Sequence, residues 1–259
     1  IPELCACRNV TQDDGRGFHR FDVLDHLFYA CDHAQCRSGI ESNRSAGAEH
    51  TVEDCSTKDC GGHSCTGNPS ENRLLIIRLA ALFHDIGKPR VRSEEIRGDD
   101  TRITFYSHEK ESARMCTEIL ERLRFPAKTV RYVSHLVEQH MFHYESSWTD
   151  AAVRRFMARV SPPAGLGTLE QTIADLFDLR IADVSGMTNS SALLHSGPWS
   201  ANLIEFRDRI QKELNNKNAV GLKDLAVSGT DLITAGIPAG KTLGLLLQEL
   251  LQTVLDDPA

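Results

Sequence analysis

The chain has 259 residues with 41% hydrophobic and 25% charged side chains, a length sufficient for one large domain or two small ones around a buried core. That balance, with ordinary Gly and Pro counts, excludes disordered, collagen-like and fibrous classes. The net charge of -7 and a longest apolar run, Leu74 to Phe83, that is interrupted by Arg78 exclude a basic nucleic-acid module and a transmembrane span, so no membrane partner is expected.

In chain order, a first helix is expected over 20–35 and a second over 73–86. Residues 37–71 between them are rich in Cys, Gly and Ser, lack apolar periodicity, and read as a long insertion loop. Its Cys55, Cys60 and Cys65 with His63 offer a zinc reading, but only Cys60, His63 and Cys65 have the close spacing of structural zinc sites, and a loop with free thiols is the competing reading. Leu74 to Asp85 is apolar nearly all round, as a core helix is. Gly87, as a left-handed C-cap, and Pro89 are expected to stop it. Ile103 to Tyr106 alternates weakly and predicts a short extended piece. Ser107 is expected to cap a helix to about Leu123, and Pro126 to open one to about Phe142. Asp150 is expected to cap Ala151 to Val160, and Thr168 a helix running through Asp183. Helical patterns close the chain at Leu203–Leu214, Leu222–Ala226, Thr230–Ala235 and Lys241–Leu255. With no repeats and no run of strands, the fold class is all-α.

Charge and cysteine are both unevenly spread. Residues 1–72 carry 6 basic and 12 acidic side chains, and the remainder 23 and 24, while Lys110 to Arg159 has 9 basic against 6 acidic and leaves room for a local RNA-facing patch. Seven of the 8 cysteines precede residue 70 and only Cys116 follows, unlike an evenly stapled secreted scaffold. No basic segment followed by an apolar stretch opens the chain. A cytoplasmic location is expected, and the opening Ile1 reads as that of a fragment or a processed product.

His84-Asp85, at the end of a buried helix, is the first sign of chemistry, because buried charge needs a partner or a metal. Helical stepping shows what else points inward. Val133, Val137 and His140 share a face, whereas His135 lies with Arg131 and Glu138 on the polar side. Ile173, Leu176, Leu179 and Asp183 share a face, Val23 and His26 lie on one side of the first helix, and His108 sits just after Ser107. His33 and His143 share faces with these residues. Alone, each has an ordinary explanation: a hydrogen-bonded core histidine, or an aspartate paired with Arg180. Together, in the order His, His-Asp, His, His, Asp on separate helices, they suit a first-row metal in a helix bundle.

The order His26, His84-Asp85, Asp183, with LFHDIGKP (Leu82 to Pro89) and SHEKESA (Ser107 to Ala113), resembles the HD superfamily of metal-dependent phosphohydrolases. The added His108 and His140 are similar to its two-metal members, in which the Asp of the pair bridges the ions. Outside the insertion, Pro2-Glu3-Leu4, the FDVLDH stretch ending at His26, HLVEQHMFHY (His135 to Tyr144), WTDAAVRRF (Trp148 to Phe156) and the tail Leu222 to Gly244 resemble bacterial tRNA nucleotidyltransferases and poly(A) polymerases that carry an HD region. The Gly-rich turn and Asp-x-Asp pair of the catalytic head of those enzymes are not in this sequence.

The resemblance implies an HD helical bundle over residues 1–200 and, over 201–259, a helical tail that helps hold RNA. It implies His26, His84 and Asp183 on one divalent ion, His108 and His140 on the other, and Asp85 bridging. Such ions lower the pKa of a shared water, so that hydroxide attacks phosphorus in line. Lys88 would then neutralise a substrate phosphate, the competing reading being a solvated residue past a helix end, and activity would fall as pH drops through about 6, where imidazole protonates. Arg154, Arg155 and His143 are candidates for contacts to substrate or RNA. The nitrogen-rich donors favour Mn, Fe, Co, Ni or Zn, with Mg left open. Implied substrates are nucleotides or RNA 3′-end phosphates, including 2′,3′-cyclic phosphodiesters, with tRNA as partner of a longer protein. Two other readings stay open: the RNA-holding body of a nucleotidyltransferase with a structural HD site, and a stand-alone nucleotide hydrolase.

Overall fold

In the computed structural model, which describes residues 1–12, 20–36, 69–97, 100–188, 198–216 and 218–258, the chain order begins with α1 (Pro2–Cys5), α2 (Val23–His33), α3 (Pro69–Phe83) and α4 (Lys88–Val91). A hairpin of β1 (Ser93–Arg97) and β2 (Asp100–Thr104) follows, then α5 (His108–Arg122), α6 (Ala127–Gln139), α7 (Asp150–Val160) and α8 (Leu169–Thr188). The C-terminal part has α9 (Pro198–Asn215), a single 3-10 turn at Leu222–Asp224, α10 (Gly229–Thr234) and α11 (Lys241–Asp256). The class is all-α, with one antiparallel hairpin among the described residues. No helix among them is long and apolar enough to cross a membrane. The zinc reading of Cys55, Cys60, His63 and Cys65 lies outside the described residues.

Local signals explain most of the boundaries. Asp22 caps α2 by accepting from Asp25 N at 2.9 Å, and its second oxygen takes Asn9 N at 2.6 Å. Thr168 accepts from Gln171 N at 3.2 Å and so starts α8. The cap of α7 is Thr149, not Asp150, which is already helical. Ser107 precedes α5 with φ 62° and makes no side-chain cap. Pro126 is the N-cap of α6 rather than a residue of its first turn, and the helix ends at Gln139 with His140 as C-cap. Gly87 is right-handed (φ -79°) and opens α4 instead of closing α3 with a left-handed turn. What it supplies is space: a Cβ there would lie 2.6 Å from Ser112 N. The hairpin is more strand than the weak alternation of Ile103 to Tyr106 suggests, because one face carries Glu95 and Arg102 and Ile96 on the other is 80% exposed, so β1 shows no buried apolar stripe.

The core runs through α3, whose Ile77, Ala80, Ala81 and Phe83 are buried against α2, α6 and α8. A polar network ties the same helices. Arg73 on α3 donates to Asp175 and Asp178 on α8 at 2.6 Å each, and Tyr132 Oη on α6 donates to Asp175 at 2.7 Å. Helices α5 and α6 pack as a pair through Met115, Cys116, Ile119, Val133 and Val137. An aromatic cluster extends the core to α9: Phe206 is fully buried and stacks on Tyr144 with ring centroids 4.4 Å apart, beside Phe156 and Phe177. The expected boundary at residue 200 therefore falls inside a helix whose Phe206 and Ile210 belong to the main core.

The N-terminal turn is pinned to α5 by Arg122, which donates to both carboxylate oxygens of Glu3 at 2.7 and 2.9 Å. These bonds hold the Glu3 carboxyl down at about 2 from its ordinary 4.5. A depressed acid contributes stability that is complete above its unfolded pKa and is lost as pH falls through the folded one. Arg122 is half exposed and solvent screens the pair, so the contribution is small. Glu3→Gln is expected to lower the urea midpoint at pH 7, with the difference from wild type closing as pH is taken from 5 toward 2. A gap that stays constant over that range would contradict this assignment.

Candidate metal centre

Six side chains from five helical segments converge inside the bundle. His26 comes from α2, His84 and Asp85 from the turn after α3, His108 from the first residue of α5, His140 from the cap of α6, and Asp183 from α8. All are buried. The two oxygens of Asp85 divide them. Oδ2 lies 3.5 Å from His26 Nε2 and 3.3 Å from His84 Nε2. Those two nitrogens are 3.1 Å apart and lie 3.2 and 3.4 Å from Asp183 Oδ1. Oδ1 of Asp85 faces the other way, 3.1 Å from His108 Nε2 and 3.7 Å from His140 Nε2.

The same local device aims three of the rings. His84, His108 and His140 each donate Nδ1–H to the carbonyl three residues earlier, Ala81 (2.8 Å), Phe105 (2.8 Å) and Val137 (2.6 Å). A carbonyl can only accept, so Nδ1 carries the proton and a neutral ring presents the Nε2 lone pair to the cluster. Metal-binding imidazoles are oriented in this way. Asp85 Oδ1 and His108 Nε2 are buried without a hydrogen-bond partner although they face one another, an arrangement that a cation between them would satisfy. The donor set thus fits a divalent metal. His26, His84 and Asp183 form one group with ligand atoms within 4.8 Å of one another, and His84, Asp85 and His140 form a second.

Electrostatics follow from burial and proximity. Burial opposes charge on His84, but the Asp85 carboxylate and hydrogen bonds from the protonated ring to Asp183 and Asp85 outweigh it and raise its pKa to about 10. Burial would raise Asp85, yet the charges of His84 and Lys88 and the closeness of His108 and His140 hold it well below the usual range. Asp183 is likewise held down against burial by His26, His84 and Arg180. Burial lowers His140.

Lys88 is not a solvated residue past a helix end. Its ammonium is buried, 2.6 Å from both Asp85 Oδ2 and Gln12 Oε1. Arg180 pairs with Asp183 Oδ2 at 3.0 Å while Oδ1 faces the histidines, so Asp183 serves both partners weighed for it. A cleft of about 230 Å³ opens beside the cluster, with Lys88 and His108 in its lining. Gln12, far away in sequence and without periodicity, carried no signal of its place there.

Three candidate residues lie elsewhere. Arg154 is buried and spends its donors on Leu255 O (2.8 Å), Asp256 O (3.1 Å) and Glu213 (3.1 Å), so it caps the C-terminal carbonyls of α11 instead of facing a ligand. Arg155 is exposed and pairs with Asp256. His143 is exposed and contacts Glu145 at 3.2 Å, apart from the cluster. His135, expected outward, is half-buried and bonds Val160 O at 3.0 Å.

Residues 58–184, which hold five of the six converging side chains, match the family profile of the HD domain. The chain carries an HD domain. HD domains bind divalent metals, and this one has the donors to do so. The chain is 30% identical over 183 residues to the A-adding tRNA nucleotidyltransferase of Deinococcus radiodurans, an alignment covering 71% of this chain and 31% of that protein. It is 39% identical over 85 residues to the CC-adding tRNA nucleotidyltransferase of Thermus thermophilus, covering 33% of this chain and 19% of that one. The HD-containing chain thus spans under a third of the length of either relative. No solved structure matches it.

Proposed function

We propose that the chain is a metal-dependent phosphohydrolase, of phosphomonoesterase or 2′,3′-cyclic phosphodiesterase type, forming the HD part of a tRNA nucleotidyltransferase-like protein. The observation that carries this reading is the division of Asp85. One oxygen faces His26 and His84, which also adjoin Asp183 Oδ1, and the other faces His108 and His140. That is the arrangement two ions bridged by one carboxylate require.

Two divalent ions held there would acidify a shared water and polarise a phosphoryl oxygen. His26, His84 and Asp183 would hold one ion and His108 and His140 the other, with Asp85 offering an oxygen to each. The carbonyls of Ala81, Phe105 and Val137 keep three of the rings in the lone-pair-inward tautomer. Lys88, in the lining of the cleft, supplies positive charge for a substrate phosphate, and Asp85 and Gln12 hold it there. The nitrogen-rich set favours Mn, Fe, Co, Ni or Zn.

The names of the relatives support a second reading, the RNA-holding body of a CCA- or A-adding enzyme with a structural HD site. In it the tail lies after α9, and Arg155 and Arg159 of α7 with Gln248 and Gln252 of α11 line a cleft of about 640 Å³ for RNA phosphates. Elemental analysis of freshly purified protein, with bis-p-nitrophenyl phosphate and 2′,3′-cyclic AMP assays on the same sample, separates the two. Bound transition metal with turnover supports the hydrolase. A metal-free protein that stays inactive after addition of Mn, Ni or Co, yet is retained on a tRNA column until salt is raised, supports the body.

A further inference from the structure

The cleft beside the cluster carries an aromatic wall that the hydrolytic chemistry leaves unused. It is lined by Gln12, Lys88, Phe105, Tyr106 and His108 with neighbouring residues of β2, and its volume is about 230 Å³. Pockets that enclose drug-sized ligands run from roughly 300 Å³ upward, so this cleft encloses part of one nucleotide unit at most and not a duplex. At its inner end His108 Nε2 points at Asp85. Along it the ammonium of Lys88 lies 5.5 Å from the Phe105 ring centroid. At its outer end Tyr106 is 65% exposed, so its ring is open to a ligand from solvent.

The backbone fixes the spacing between these ends. Ser107, a non-glycine residue, sits in the left-handed region at φ 62°, a conformation worth its strain only where surroundings enforce it. The carbonyl of Phe105 accepts from both His108 N (3.2 Å) and His108 Nδ1 (2.8 Å), closing the turn around Ser107. Tyr106 and His108 are therefore held at a fixed spacing across one turn, the histidine in the cluster and the exposed tyrosine in the lining of the same cleft.

We infer that Tyr106 is a specificity-determining residue: it stacks on the base of a single unpaired nucleotide whose phosphate reaches Lys88 and the histidine–aspartate cluster. The substrate class is then a nucleotide phosphate, free or at an RNA 3′ end, in preference to a base-free phosphate ester. The inference deepens the hydrolase reading and rests on it. Base–aromatic stacking tolerates any base and its loss by alanine substitution costs about tenfold or more in binding.

The test compares wild type, Tyr106→Ala and Tyr106→Phe, Mn-loaded, on adenosine 3′-monophosphate and on β-glycerophosphate. Tyr106→Ala is expected to raise KM for the nucleotide about tenfold with kcat kept, to leave β-glycerophosphate unchanged, and to be rescued by Tyr106→Phe. An equal effect on both esters, or none on either, overturns the assignment. If no protein turns over any ester, the hydrolase reading has failed separately, and equilibrium dialysis of adenosine 3′-monophosphate decides the stacking. Binding lost in Tyr106→Ala and kept in Tyr106→Phe upholds it, and equal binding by all three overturns it. Competition by a short single-stranded RNA ending in a 3′-phosphate assigns the cleft to RNA ends, and competition by mononucleotides alone assigns it to free nucleotides. A blunt duplex end that competes as well as either overturns the proposal, since its terminal base is already stacked and paired.

Discussion

Asp85→Ala is expected to strip the protein of metal and of hydrolysis together, from about two ions per chain to none, with a fall in rate of at least about 10³-fold. Its two oxygens face the two pairs of nitrogens separately, so its removal unmakes both positions at once. The same substitution leaves the buried Lys88 ammonium with Gln12 as its remaining close partner, and stranding a buried charge costs about 3–5 kcal/mol. A loss of metal in Asp85→Ala could therefore reflect a loss of fold. Asp85→Asn removes that ambiguity: it keeps the shape and an oxygen for Lys88 but not the negative charge that two cations share. Elemental analysis, bis-p-nitrophenyl phosphate turnover and a thermal melt on both variants give the answer. A folded Asp85→Asn protein that retains full metal and full activity would sink the two-ion scheme.

The inward placement of His26, His140 and Asp183 was legible because each lies on an apolar stripe whose period is that of a helix, and the stripe is what packing reads. His84-Asp85 stood out because a charged pair interrupts an otherwise apolar helix end. The rest depended on contacts that no local period records. Arg154 adjoins the apolar stripe of Val153, Phe156, Met157 and Val160, yet its partners are the last carbonyls of a helix about a hundred residues later. Gln12 meets Lys88 across 76 residues. Of two adjacent residues able to cap α7, Thr149 was chosen by the path of the chain and not by propensity. Gly87 before a proline reads as a left-handed stop, whereas what matters there is how close α5 comes.

Close approach also governs the second large effect, at Gly186. A Cβ built on this residue of α8 would lie 2.8 Å from Ala30 N and 3.0 Å from Ala30 Cα on α2, contacts that only a shift of backbone can relieve. Ala30 is fully buried, so α2 has no soft side chain to give way. His26 lies one turn before Ala30 and Asp183 one turn before Gly186, so the helix contact is also the ruler that sets the 3.2 Å between His26 Nε2 and Asp183 Oδ1. Gly87 against Ser112 does the same for Asp85, two residues before the glycine, and His108, one turn before the serine. Gly186→Ala is expected to cost about 1–3 kcal/mol of stability, as overpacking does, and to weaken metal binding beyond what that loss explains. The control is Gly244→Ala on exposed α11, where an added Cβ meets nothing within 4 Å and the gain in helix propensity should stabilise by about 0.5–1 kcal/mol. Urea midpoints and Mn affinity measured on both variants test the point. A Gly186→Ala protein as stable and as tightly metallated as wild type would mean that α2 and α8 are free to part, and that something other than their contact places His26 against Asp183.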